Sequence, residues 1–129
     1  MIKGASLFSS AGIAETYFKD SNINIVVANE LIEQRAKLYS FFHPSTNMVC
    51  GDITDSKIFD SVNEFIKQEE CKFLIATPPC QGMSTLGKKE YSTDKRNYLI
   101  FYVLDMIDDN DFDFILIENV PKFLKMYFP

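Results

Sequence analysis

No apolar run in this chain of 129 residues approaches the roughly 20 needed to span a bilayer as a helix. The N-terminus, Met1-Ile2-Lys3-Gly4-Ala5-Ser6, also lacks the long apolar stretch of a secretion signal and enters a strand-like pattern at once. The expected compartment is therefore the cytoplasm, with no membrane partner. Cysteine is scarce: Cys50, Cys71 and Cys80 form an odd set without a CxxC pair. Disulfide frameworks and a zinc site are excluded on that pattern, and no metal is expected. Cys50 and Cys71 lie in or beside apolar segments, where a cysteine acts as a small hydrophobe. There is no internal repeat, no low-complexity tract and no GxGxxG.

Positive charge is also in deficit. The net charge of −5 opposes tight contact with phosphates, which need Lys and Arg. One stretch runs the other way: GKKEYSTDKR, residues 87–96, has four basic and two acidic residues. Its Lys88, Lys89 and Arg96 are candidate phosphate contacts, and a plain solvated loop is the alternative.

Apolar residues make up 47% of the chain, enough for one globular domain. Five short apolar segments read as buried strands: Lys3–Phe8, Ile23–Ala28, Asn47–Cys50, Lys72–Ala76 and Asp113–Ile117. Helical spacing falls between them. A short helix is expected from Gly12 to Lys19. A second covers Leu31–Phe42, with Ile32, Ala36 and Tyr39 on one face. A third carries Ile58, Val62, Phe65 and Ile66 behind Thr54 as N-cap. The last is Asn97–Asp108, with Leu99, Val103, Met106 and Ile107 inward. Alternating strands and helices build a Rossmann-like α/β fold, a parallel sheet with helices on both faces. Such sheets bind ligands at the carboxyl ends of their strands.

Polar, Gly or Pro residues follow every one of the five strands. Leu7-Phe8-Ser9-Ser10-Ala11-Gly12 is a small-residue turn that lets backbone approach a ligand, or simply packs. Glu30 stands about 20 residues later, where a carboxylate can accept ribose hydroxyls or cap a helix. Gly51-Asp52 has the same ambiguity, with a turn as the alternative. In Thr77-Pro78-Pro79-Cys80-Gln81-Gly82 two prolines stiffen the approach to a loop cysteine that has no obvious packing purpose. Such a thiol acts as a nucleophile once its proton is lost. Glu118-Asn119-Val120 ends an apolar strand, so desolvation of the Glu118 carboxyl is expected.

In this order the segments resemble the DNA (cytosine-5) methyltransferase family: LFSSAG, NE at 29–30, GDIT at 51–54, PPCQG at 78–82, DKRNYL at 94–99 and ENV at 118–120. PPCQG followed about 36 residues later by ENV is the most specific pair. The resemblance implies an S-adenosylmethionine-dependent fold, Cys80 and Glu118 as catalytic residues, and double-stranded DNA as the partner. It implies that Phe8, Ser9, Ser10, Ala11 and Gly12 line the cofactor's amino-acid end. Glu30 would bind its ribose hydroxyls, Asp52 its adenine amino group, Leu99 would lie by its methionine part, and Ile53 and Pro79 would also contact it. Gln81, Ser84, Lys88, Lys89, Arg96 and Asn119 would face the substrate.

The resemblance spans the whole chain but only the first part of the family's catalytic domain. Residues 1–129 are thus expected to be its N-terminal portion, cut after the fifth strand and inactive alone. Ser10 and Ala14 stand where the family's first block usually has glycine, and Glu15 follows. The expected enzyme is of restriction-modification or phage type. A tRNA cytosine-5 methyltransferase and a non-catalytic cofactor-fold remnant are the alternatives. The DNA target and the oligomeric state are not readable.

Overall fold

The computed structural model describes residues 1–79, 98–119, 121 and 124. Strand β1 is Ile2–Leu7, β2 Ile23–Glu30, β3 Asn47–Cys50, β4 Phe73–Ala76 and β5 Phe114–Ile117. Helices α1 (Glu33–Phe42), α2 (Ser56–Gln68) and α3 (Leu99–Asp108) lie between them. The strands form one parallel sheet in the order β3-β2-β1-β4-β5, so β1 is central and the chain reverses direction across the sheet at the β1/β4 junction. Their carboxyl ends are in step: Leu7 pairs with both Asn29 and Ala76, Glu30 with Cys50, and Ala76 with Ile117.

Alternation along the strands divides the core. Ala5, Leu7, Val27, Leu74 and Ala76 pack with Val62 and Ile66 of α2 and with Ile100, Val103 and Met106 of α3. On the opposite face Ile25, Phe73 and Ile75 pack with Phe18, whose ring meets Phe73 edge-on at 5.5 Å. Gly4 lies close under this second layer: a Cβ there would stand 2.9 Å from the Phe73 ring and 3.0 Å from the Ile25 Cδ1.

Several expectations need correction. The helix expected over Gly12–Lys19 is instead two 3₁₀ turns, Ile13–Glu15 and Phe18–Ser21. The Thr16 hydroxyl bonds back to the Ile13 carbonyl, and Asn22 in a left-handed conformation ends the segment. The N-cap of α2 is Asp55, whose carboxylate accepts the Lys57 N–H at 2.9 Å, not Thr54. Ile32 lies in extended backbone just ahead of α1 and is exposed, while Ala36 and Tyr39 are buried as expected. Strands β3 and β5 are not buried, because they are the sheet's two edges. Cys50, on edge strand β3, is exposed; Cys71 is buried, and burial with the Glu69 charge nearby pushes its thiol up to about 11.

Candidate functional site

Because all five strands run the same way, the polar segments that follow them share one edge of the sheet. The Phe8–Gly12 turn leaves the central strand, with Glu30 on one side and Thr77-Pro78-Pro79 on the other. Phe8 (φ 56) and Ser10 (φ 51) hold the left-handed conformation without being glycine; Gly12 (φ 75) holds it too. Strain of this kind persists only where the surroundings fix the backbone. The Ser9 N–H and its hydroxyl both donate to the Asn29 carbonyl at 3.1 Å. The Ser10 N–H donates to Glu30 Oε1 at 2.9 Å. From the β4 side, the Thr77 hydroxyl donates to the Phe8 carbonyl at 2.9 Å.

Glu30 is buried, and its second oxygen accepts the Ile32 N–H at 2.8 Å, ahead of α1. It thus tethers the turn and the start of α1 at once. Each oxygen accepts one backbone N–H and keeps capacity for another donor, so the carboxylate fits a ribose diol. Asp52 is exposed, and its Oδ1 accepts both the N–H (2.9 Å) and the hydroxyl (2.8 Å) of Thr54, which is the turn alternative realised. Ile53 belongs to the main core. Phe8 and Leu99 are half-buried against that core, and Ser9, Ala11 and Gly12 are buried while Ser10 is exposed. Pro78 is buried and Pro79 half-buried. Cys80, Gln81, Ser84, Lys88, Lys89 and Arg96 lie outside the described residues.

On the β5 side the Glu118 N–H donates to the Ala76 carbonyl at 3.1 Å, which sets residue 118 beside the Thr77–Pro79 segment. Its side chain is exposed here, so the expected desolvation is not found; β5 is an edge strand with no neighbour on its outer side among the described residues. Asn119 is half-buried.

Sequence reasoning missed two sets of residues. Asn29 clips β2 to the β3 end, donating to the carbonyls of Val49 (2.8 Å) and Gly51 (3.0 Å). Glu15, Tyr39 and the chain's single histidine, His43, gather behind Gly12. The available signal was a carboxylate three residues beyond the turn, in a position that an amphipathic helix would have explained.

A parallel α/β sheet whose central strand ends in a tight turn, with a carboxylate at the end of the next strand, has the architecture of the nucleotide-cofactor folds. More narrowly, the chain belongs to the C-5 cytosine-specific DNA methylase family, whose description matches residues 2–128. It is 50% identical to the type II methyltransferase M1.HgaI of Avibacterium volantium over 129 residues, 97% of this chain and 36% of that protein. It is 28% identical to the tRNA (cytosine(38)-C(5))-methyltransferase of Spodoptera frugiperda, covering 91% of this chain and 35% of the relative. A crystal structure of a Spodoptera frugiperda DNMT2 mutant superposes with a TM-score of 0.72 at 26% identity, over 98% of this chain and 38% of that one. The chain therefore spans roughly a third of the length of these relatives. No helix among the described residues is long and apolar enough to cross a membrane.

Proposed function

We propose that this chain carries the cofactor site and the nucleophile of an enzyme that methylates C5 of cytosine in double-stranded DNA, of restriction-modification or phage type, in the cytoplasm. Residues 1–129 would be the N-terminal portion of its catalytic domain and inactive without the rest. The observation that carries the reading is the shared sheet edge. There the turn tethered to Glu30 lies beside the Thr77–Pro79 segment that leads into Cys80, and residue 118 is hydrogen-bonded to the same strand end.

In this reading Phe8, the Ser9–Gly12 turn, Pro79 and Leu99 hold the amino-acid part of S-adenosylmethionine. Glu30 accepts the ribose hydroxyls, and Asp52 with Ile53 behind it meets the adenine. When bound, that cofactor supplies an electrophilic methyl group. The Cys80 thiolate adds to C6 of a cytosine extruded from the duplex, and the displaced electron pair makes C5 nucleophilic. Glu118 donates a proton or hydrogen bond to ring N3, which stabilises that shift of charge. Once C5 carries the methyl group, its proton passes to water, the C–H electron pair re-forms the C5–C6 double bond, and the C6–sulfur bond breaks to release the Cys80 thiolate. Asn119, Gln81, Ser84, Lys88, Lys89 and Arg96 face the base and its phosphates.

The test is a covalent trap on the native enzyme that contains this chain. DNA bearing 5-fluorocytosine should become linked to the protein when S-adenosylmethionine is present, because fluorine cannot leave as a cation. Cys80→Ser should abolish both the link and methylation. Normal methylation by Cys80→Ser would refute the nucleophile assignment. The likeness to a protein named as a tRNA methyltransferase supports a second substrate, so a matched tRNA belongs in the same assay. Methyl transfer to tRNA alone would replace DNA as the substrate, and cofactor binding without transfer to either would mark a non-catalytic remnant.

A further inference from the structure

Behind the turn, on the face opposite the main core, sits a buried carboxyl that the chemistry above does not use. Glu15 is 5% exposed. Ser6 on β1 donates its hydroxyl to one carboxylate oxygen, and Tyr39 on α1 donates its phenol to the other. The Tyr39 ring packs on the His43 ring with centroids 4.6 Å apart. His43 Nε2 lies 2.9 Å from the Gly12 carbonyl, and the Glu15 N–H donates to that same carbonyl at 3.3 Å. These rings close on Gly12 itself: a Cβ there would stand 2.6 Å from the His43 ring and 2.7 Å from Tyr39 Cδ2. Besides the bonds at Phe8, Ser9 and Ser10, the turn is therefore held at Gly12 by the Glu15–Tyr39–His43 group.

We propose that Glu15 is a positioning residue for cofactor binding: bridging Ser6 to Tyr39, it holds the Tyr39 and His43 rings against Gly12 and so fixes the backbone conformation of the Ser9–Gly12 turn. The inference rests on the assignment of that turn to S-adenosylmethionine. A hydrophobic residue at position 15 would pack without the cost of burying a carboxyl. What the carboxyl adds is a two-acceptor link between the central strand and α1, directly behind a turn with two non-glycine residues in left-handed backbone. Burial raises the Glu15 carboxyl above its ordinary range, against the lowering effect of Ser6, Tyr39 and His43.

The experiment measures S-adenosylhomocysteine affinity by calorimetry, and KM for S-adenosylmethionine, on the native enzyme. Glu15→Ala and Tyr39→Phe break the link that holds the turn; with the binding-competent turn populated about a tenth of the time, affinity should fall about tenfold. KM for the cofactor should rise by a similar factor, with kcat at saturation changed less than about twofold. Glu15→Gln offers one acceptor and one donor to two hydroxyls that can each turn, and should recover most of the affinity. Val62→Ala, in the core between the sheet and α2, serves as the stability control, since it should lower Tm without moving cofactor affinity. Unchanged affinity in Glu15→Ala and Tyr39→Phe, no recovery by Glu15→Gln, or an equal loss in Val62→Ala overturns the proposal while leaving the cofactor assignment standing. Failure of the unaltered enzyme to bind S-adenosylhomocysteine defeats that assignment and this inference with it.

Discussion

Glu15 also gives the chain a pH signature of its own. Its carboxyl is raised chiefly by burial, from an ordinary value of 4.5. Between that value and the raised one, the folded protein keeps a proton that the unfolded chain has released. Stability should therefore fall as pH climbs through this window and stay lower above it. Tyr39, raised by burial and then by the Glu15 charge, pushes in the same sense but only at strongly alkaline pH. Glu15→Gln carries no such proton, so its Tm from about pH 4 to about pH 8 should follow a flatter course than that of the unaltered chain. Identical slopes would mean that burial does not raise the Glu15 carboxyl.

At the scale of elements, the cap of α2 separates two neighbours that look interchangeable in the sequence. Asp55 satisfies the Lys57 N–H, while Thr54 serves the Asp52 turn. Asp55→Ala should cost about 1 kcal/mol of stability. Thr54→Ala should cost less, because the Asp52 carboxylate is exposed and water can replace the hydroxyl. Chemical denaturation of both variants checks the order, and the reverse order would put the cap back at Thr54.

The same comparison shows what a sequence can and cannot carry. All five strands were legible because each is a short apolar run bounded by polar, Gly or Pro residues, and the parallel order followed from their alternation with helices. Glu30 at the end of β2 was legible from its distance to the turn, a distance fixed by one strand-to-strand crossover. The Gly12–Lys19 segment was not legible as two 3₁₀ turns. In the fold Glu15 is buried against Ser6 and Tyr39, whereas Ile13 and Tyr17 are exposed. No pattern of period 3.6 encodes a contact between residues 24 apart, so the Glu15–Tyr39 pair had to await the structure. The burial of β3 and β5 was misjudged for a related reason. Apolar content reveals a strand but not whether it lies at the sheet's edge.

For the molecule as a whole, that edge is the dominant physical fact. Strands of parallel sheets are ordinarily covered on both faces, and Phe114-Ile115-Leu116-Ile117 is the continuous apolar run such cover requires. Here the exposures are 56%, 45%, 47% and 36%, so both faces of β5 meet water. An exposed apolar edge strand is a template for pairing with another chain. The 129-residue chain by itself should therefore self-associate, with a scattering mass that rises with concentration. Ile115 and Ile117 project from one face of β5, because side chains alternate along a strand. Replacing both with Lys places charge on that face, and should lower the apparent mass while the far-ultraviolet circular dichroism stays unchanged. The remaining face, Phe114 and Leu116, would still be apolar, so a partial decrease is expected from this pair and a fuller one from all four. If the lysine variants associate as strongly as the unaltered chain, the contact lies elsewhere. The exposed Phe41 and Phe42 at the end of α1 would then be the surface to alter next.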